Sequence, residues 1–453
     1  MITRPLGGRD IAIAGFFAAL ITGFLAATHP LLALAAFFAV VFLTWMISRP
    51  ELVLLAMIAA LPWEAMLHYP TATLSTVKLF GLALVGAYVL QAASRETKIR
   101  TSPVIGIAIV FAFVVGLSLI ASAEPSAGLE KTFRYSFFVL FLFLVAQLVS
   151  DRETGKRLLQ VYVASAALAS LSGLISFLSG AEARASGPIE DPNDFGYLMA
   201  TAVPFAIYLY REDRRLRFLW GASLILLLAA TAGTLSRGAA VGLGALLLWA
   251  LFTGRVSPKA MVTAVAGIFL AAIVALALWS PLISDRLQEK ERIAEKNVES
   301  REAFWSAATQ MWMSSPVLGI GPDRFGIEAP EYVRSNPIAL QDPVVHNAYL
   351  EILAEDGPIA LALFLAMMGA AWSVMTRAER EARRRGDDEA ARFAAAVKGS
   401  LLVAAVSAIF LSEQVTAPIW LACALAASGA LPRPQPAAAL SAAPRGELAR
   451  ATA

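Results

Sequence analysis

The sequence predicts an all-α, polytopic transmembrane helical bundle of about 12 to 14 spans, with one large outer loop that itself contains helices. Three observations predict it. The 453-residue chain is 58% hydrophobic and only 16% charged, whereas a soluble domain carries about 45–50% apolar and about 25% charged residues. Its apolar residues fall into about fourteen runs close to the roughly 20-residue length that crosses hydrocarbon as a helix. Its Lys and Arg gather in alternate connecting segments. An ordinary soluble enzyme is excluded. The net charge of +3, spread without a concentrated basic surface, gives no reason for nucleic-acid binding.

Taken in order, the runs lie near 10–28, 31–48, 51–66, 76–93, 103–121, 131–149, 157–179, 194–210, 216–234, 238–253, 259–280, 357–376, 397–412 and 416–430. The first has a leader-like basic start, Arg4 and Arg9, but the spans that follow make it a first anchor. The runs at 51–66 and 416–430 are the shortest and are expected to be tilted or re-entrant. Placing the N-terminus inside puts about two thirds of the 37 Lys and Arg on the cytoplasmic side, including Arg49, the 94–102 loop, 151–157, 211–217, Arg255, Lys259 and 376–398. Residues 281–345 and all three histidines, His29, His68 and His346, then lie outside. The Arg377–Arg392 run is expected to be a solvated cytoplasmic loop. The chain accordingly divides into an N-terminal membrane bundle at 1–180, a core at 181–376, a loop with the last two spans at 377–430, and a disordered cytoplasmic tail at 431–453.

The single cysteine, Cys423, lies in an apolar run and reads as a small core residue. One thiol supports neither an internal disulfide nor a thiolate metal site. No ionisable group sits at the centre of a run, where an ion-coupled carrier needs one. Glu64, Lys78, Lys131, Arg134, Arg184, Arg237, Asp356 and Glu413 instead lie toward outer ends and describe a polar vestibule at the outer leaflet. Some are expected to snorkel. No internal repeat is evident, which also disfavours a carrier.

Within the outer loop, Asp285–Met313 is charged and helix-forming, with an apolar stripe of Phe304, Trp305, Met311 and Trp312 suited to a membrane surface. Ser315–Gly321 follows as a tight turn. Asp191-Pro192-Asn193-Asp194 has the cap, first-turn proline and early acid with which a helix begins.

The order of Ser236-Arg237-Gly238, then Arg301-Glu-Ala-Phe-Trp305, Pro316-Val-Leu-Gly-Ile-Gly-Pro-Asp-Arg-Phe325 and His346-Asn-Ala-Tyr-Leu-Glu-Ile-Leu-Ala-Glu-Asp-Gly357 resembles the O-antigen ligase and polymerase superfamily. The Arg184–Gly196 stretch is similar to the family's outer loop ahead of its core. The motifs cover about 184–364. The resemblance implies a membrane glycosyltransferase of the GT-C type in the bacterial inner membrane, with both termini cytoplasmic. It would act at the periplasmic face on glycans carried by undecaprenyl diphosphate.

Such a transfer needs fixed cations for the leaving diphosphate, and guanidinium suits phosphate by its planarity, permanent charge and paired donors. Arg237 is the leading candidate, in its turn between two spans, and Arg184 the second. The attacking hydroxyl needs a base, and imidazole ordinarily titrates near 6.5. His346 matches the family's catalytic histidine. Asn347 and Glu351 either orient the imidazole or bind sugar hydroxyls, Glu351 equally capping or solvating the helix start; Asn193 is a candidate sugar ligand beside its structural role. No metal or cofactor is expected, since no D-x-D-like acidic pair appears in the first outer loops and neither a His/Cys cluster nor a nucleotide fingerprint is present. The acceptor is lipid A-core for a ligase and another lipid-linked repeat for a polymerase. The alternative of a different class is a flippase or exporter of lipid-linked sugar.

Overall fold

The computed structural model describes residues 49–64, 76–94, 99–189, 191–257, 259, 301–333 and 343–431. The expected spans at 10–28 and 31–48, the run at 259–280 beyond its first residue, His29, His68, the 285–300 part of the outer loop and the tail after 431 lie outside the described residues. Among the described residues every regular element is a helix. These are α1 (Pro50–Ala60, continuing as a 3-10 turn Leu61–Trp63), α2 (Thr76–Ser94), α3 (Pro103–Ala121), α4 (Leu129–Leu148), α5 (Arg152–Leu178), α6 (Pro192–Glu212), α7 (Arg217–Gly233), α8 (Arg237–Phe252), α9 (residues 301–314), α10 (Phe325–Tyr332), α11 (Ala348–Arg384), α12 (Asp388–Ser407) and α13 (Ala417–Ala427). Four of them, α3, α5, α11 and α12, are long and apolar enough to cross a membrane. The 19 residues of α3 rise about 28 Å at 1.5 Å each, close to the hydrocarbon thickness of about 30 Å. Phe218, Phe252 and Ile120 are 94%, 84% and 76% exposed, a cost in water that disappears in lipid. The protein is an all-helical polytopic membrane protein.

Helix starts follow local chemistry. Ser102 accepts from the Val104 N–H ahead of Pro103, and Asp151 and Asp387 accept from Thr154 and Ala390, so the side chains satisfy amides that the first turn leaves unpaired. Hydrogen bonding to Thr154 holds the Asp151 carboxyl below its ordinary range.

The short final helix is central. Every residue of α13 is buried, as expected for a helix that is apolar on all sides. It packs on α3, α4, α11 and α12. Trp420 stacks on Phe138 at 6.0 Å, lies 6.1 Å from both Phe111 and Phe364, and donates its indole N–H to the Gln414 carbonyl. Cys423 sits within the same core.

The Arg377–Arg392 run departs from its expected form. It is helical on both sides of a short turn, α11 extending to Arg384 and α12 starting at Asp388. Glu379 is buried and receives Arg255 at 2.8 Å and Lys398 at 2.6 Å, while Arg152 pairs with Asp387 at 2.5 Å. Arg377, Arg380, Arg383, Arg384 and Arg385 are exposed, as their charge suggests, while ion pairing across helices lets Glu379 bury.

At the opposite end of the bundle, α11 breaks at Gly357, whose φ is +83°. The Ser315–Gly321 turn, with Gly319 at +70° and Gly321 at +109°, lies against this break. Ile320 and Gly321 N–H groups donate to the carbonyls of Ala354 and Glu355 at 3.0 and 2.9 Å. Ser118 of α3 donates to the carbonyls of Leu318 and Glu355. A Cβ on Gly319 would strike the Glu355 carbonyl, and one on Gly357 would strike that of Val317. Glycine is required here by both conformation and space.

Candidate active site

The α7–α8 connection is a tight corner. Leu235 adopts φ +53°, the Ser236 N–H donates to the Thr234 hydroxyl, and Ser236 caps α8 through Ala239. Arg237 therefore stands exposed at the first position of α8. Gly196 of α6 lets this corner come close, since a Cβ there would lie 2.7 Å from the Thr234 hydroxyl. Asp191 caps α6 by accepting from Asn193, with Pro192 in the first turn, as the sequence predicts.

Arg184 joins the two starts. It donates from Nε to the Thr234 carbonyl and from Nη2 to Asn193 Oδ1, each at 2.7 Å. The adjacent Ala185 N–H donates to Gly233 at 2.9 Å. Asn193, a candidate sugar ligand, thus spends its side-chain oxygen on holding Arg184.

A third arginine completes the group. Arg301, at the described start of α9, lies within electrostatic reach of Arg184, Arg237 and Asp191. Burial depresses the pKa of Arg301, with Arg237 adding to the effect, and burial likewise depresses that of Arg184, Asp191 opposing and Arg301 reinforcing it. The buried Nε of Arg301 has no hydrogen-bond partner among the described residues. Arg301 within electrostatic reach of both Arg184 and Arg237, with Asp191 near two of the three and two helix N-termini beside them, makes a cationic group suited to an anion. In the sequence Arg301 stands one turn before Trp305 in a charged helical stretch, where nothing but that spacing marks it as functional.

The His346 segment reaches the same end of the bundle. Trp305 donates its indole N–H to the Val345 carbonyl at 3.0 Å. Asn347 caps α11 by accepting from Tyr349 and Leu350, both at 3.1 Å. His346 between them is half-buried and left-handed, with φ +51°, a conformation uncommon outside glycine and found where a site imposes it. The Ala348 N–H donates to Ala408 and Leu411 carbonyls at 2.9 Å. That 407–411 stretch also supports α8, through a 3.1 Å bond from the Ser407 hydroxyl to the Gly238 carbonyl. The Arg237 corner and the His346 segment share one scaffold.

Glu351 is neither a cap nor solvated. Its carboxylate is buried, paired with Lys131 at 2.5 Å and hydrogen-bonded by Ser412 and Gln414. Lys131 also pairs with Glu355 at 2.5 Å, and Glu355 accepts from the Phe325 N–H. Lys131 thus ties α4 to the helical arm that begins at His346 rather than snorkelling outward. Asp356 next to it is fully buried, and its carboxylate oxygens have no hydrogen-bond partner among the described residues.

No curated protein matches the chain. Residues 222–365 match the family model described as O-antigen ligase, a span that holds Arg237, Arg301 and His346. Over that span, about a third of the chain, this membrane protein is similar to the O-antigen ligase family, which implies a membrane glycosyltransferase-like activity.

Proposed function

We propose that the protein transfers a glycan from undecaprenyl diphosphate to an acceptor hydroxyl at the periplasmic face of the inner membrane, attaching polysaccharide to lipid A-core in the manner of an O-antigen ligase. The convergence of Arg184, Arg237 and Arg301 beside the His346 segment carries this reading. In the reaction, His346 takes the proton of the acceptor hydroxyl as its oxygen bonds the anomeric carbon. The bond from that carbon to the diphosphate oxygen breaks, and the diphosphate leaves with the electron pair. Arg237 and Arg301 meet the developing charge, which is where fixed donors contribute most to rate. Asn193 positions Arg184, Asn347 sets the direction of the His346 backbone, and Glu351 anchors the arm behind it. No metal or cofactor takes part, so wild-type transfer persists in EDTA.

Surface-glycan analysis of a deletion strain tests the assignment. Finished polymer accumulating on its lipid carrier supports ligation. Single lipid-linked repeats would instead indicate the polymerase reaction, and untranslocated precursor a flippase. The match to a model described as O-antigen ligase supports ligase- or polymerase-type transfer over a flippase.

A further inference from the structure

The two helices that begin beside the arginine group, α6 and α8, also end together. A cavity of about 470 Å³ lies between those ends and the start of α12. The 16 residues of α8 put its C-terminal end about 24 Å from Arg237, at the other face of the bundle. The volume falls in the roughly 300–1,000 Å³ range of small-molecule sites.

This cavity is apolar within and cationic at its mouth. Furthest from the helix ends, Pro204, Leu246 and Ala396 form an apolar floor. Pro204 and Leu246 close over Gly399 of α12, where a Cβ would stand 3.1 and 3.0 Å from them. About two turns further out along α6 and one along α12 stand Arg211 and Arg392. Charge does not balance there. Glu379, 4% exposed, receives Arg255, Arg383 and Lys398 at 2.8, 2.9 and 2.6 Å. Arg392 is met by Glu212 and Asp388, and the exposed Arg211 has no ion pair among the described residues. Five cations thus face three carboxylates.

The surroundings are those of a headgroup layer. The Arg255 guanidinium lies 4.4 Å from the centre of the Trp249 ring, and Trp249 meets Trp372 at 5.8 Å. Tryptophan concentrates at the membrane interface. Leu248 and Phe252 beside it on α8 are exposed, as a flank covered by lipid would be. Uncompensated guanidinium suits a phosphodiester, which offers both charge and paired acceptors. A soluble phosphate would leave the apolar floor unused. The Lys and Arg count of the sequence assigns this end to the cytoplasmic face, whose leaflet is anionic.

We propose that this cavity binds an anionic glycerophospholipid of the cytoplasmic leaflet. Arg211, Arg383 and Arg392 donate to its phosphodiester, Arg255 adds charge behind them, and the floor takes the upper part of an acyl chain. Bound there, the lipid ties the ends of the helices that present Asn193 and Arg237 at the other face. The proposal stands apart from the glycosyl-transfer reading and does not rest on it.

Equilibrium binding of tail-labelled phosphatidylglycerol to the purified full chain in detergent tests it. The competitors are unlabelled phosphatidylglycerol, phosphatidylcholine with the same acyl chains, and inorganic phosphate against chloride at equal ionic strength. Wild type is expected to bind phosphatidylglycerol saturably and about tenfold more tightly than phosphatidylcholine, with inorganic phosphate displacing no more than chloride does. Arg211→Gln combined with Arg383→Gln changes two exposed side chains and is expected to weaken phosphatidylglycerol about tenfold. Ala395→Phe fills the apolar wall without altering charge and is expected to weaken it as well. Melting curves establish that both variants fold. The site is overturned if the two phospholipids bind equally, or if the double arginine variant or a folded Ala395→Phe protein binds phosphatidylglycerol as wild type does. Selective displacement by inorganic phosphate would also overturn it, since the cavity would then serve a soluble anion.

Discussion

The indole N–H of Trp305 donates to the carbonyl of Val345 at 3.0 Å, fastening the helix that carries Arg301 to the residue before His346. Through this bond the placement of a cation and of a candidate base become one geometric problem. Replacing Trp305 with Phe keeps the ring and removes the donor. The expected outcome is a fall in kcat of about tenfold, corresponding to one lost hydrogen bond of roughly 1.4 kcal/mol, with KM and melting temperature nearly unchanged. Steady-state kinetics with lipid-linked donor, alongside thermal melting, checks it.

Arg301 has a buried Nε without a partner among the described residues and two arginine neighbours, an arrangement that an incoming diphosphate relieves. Arg301→Ala is expected to lower kcat by about 10²–10³-fold, the range for removal of one preorganised donor to a developing anion. Arg301→Lys keeps charge without the planar fork and should recover only part of the loss. Single-turnover transfer rates measure both.

His346→Ala removes the proposed base while Asn347 continues to cap α11. Transfer should drop by about 10²–10⁴-fold, the contribution of general base catalysis, in a protein that melts as wild type does. A variant retaining near-wild-type rates would remove His346 from the mechanism.

Glu413 links stability to pH. Its folded-state pKa is raised, by burial first and Asp194 second, so the folded protein binds this proton more tightly than the unfolded chain does. Its favourable contribution is complete below the ordinary carboxylate range and is lost as pH rises toward the folded value. Glu413→Gln carries no charge to bury. Its melting temperature should exceed that of wild type at pH 7, the gap closing by about pH 4; melting curves across that interval read the difference.

Lys131 is 8% exposed and lies between Glu351 and Glu355. Lys131→Met leaves buried carboxylates without their cation and is expected to destabilise by about 3–5 kcal/mol. Adding Glu351→Gln and Glu355→Gln to that variant should restore much of the loss, as judged by reversible unfolding in micelles, because an uncharged trio has no ion to desolvate.

The amino-acid sequence by itself determined the helical membrane architecture, the cap at Asp191, the glycine-dependent turn at Ser315–Gly321 and the buried character of Cys423. Each of these follows from local composition and short-range backbone chemistry. It also carried the motif order that held Arg237 and His346 as candidates. Tertiary structure alone decided that Arg301 stands beside Arg184 and Arg237, that Glu351 meets a lysine 220 residues away, that the Arg377–Arg392 run packs as helix, and that Asp194 faces Glu413. The physical reason is that a membrane helix is apolar on nearly every side, so its pattern fixes the span without saying which face meets which neighbour. Partners of buried charge are set only when the helices pack, because in lipid an ion's companion is chosen by proximity across the bundle and not by spacing along the chain.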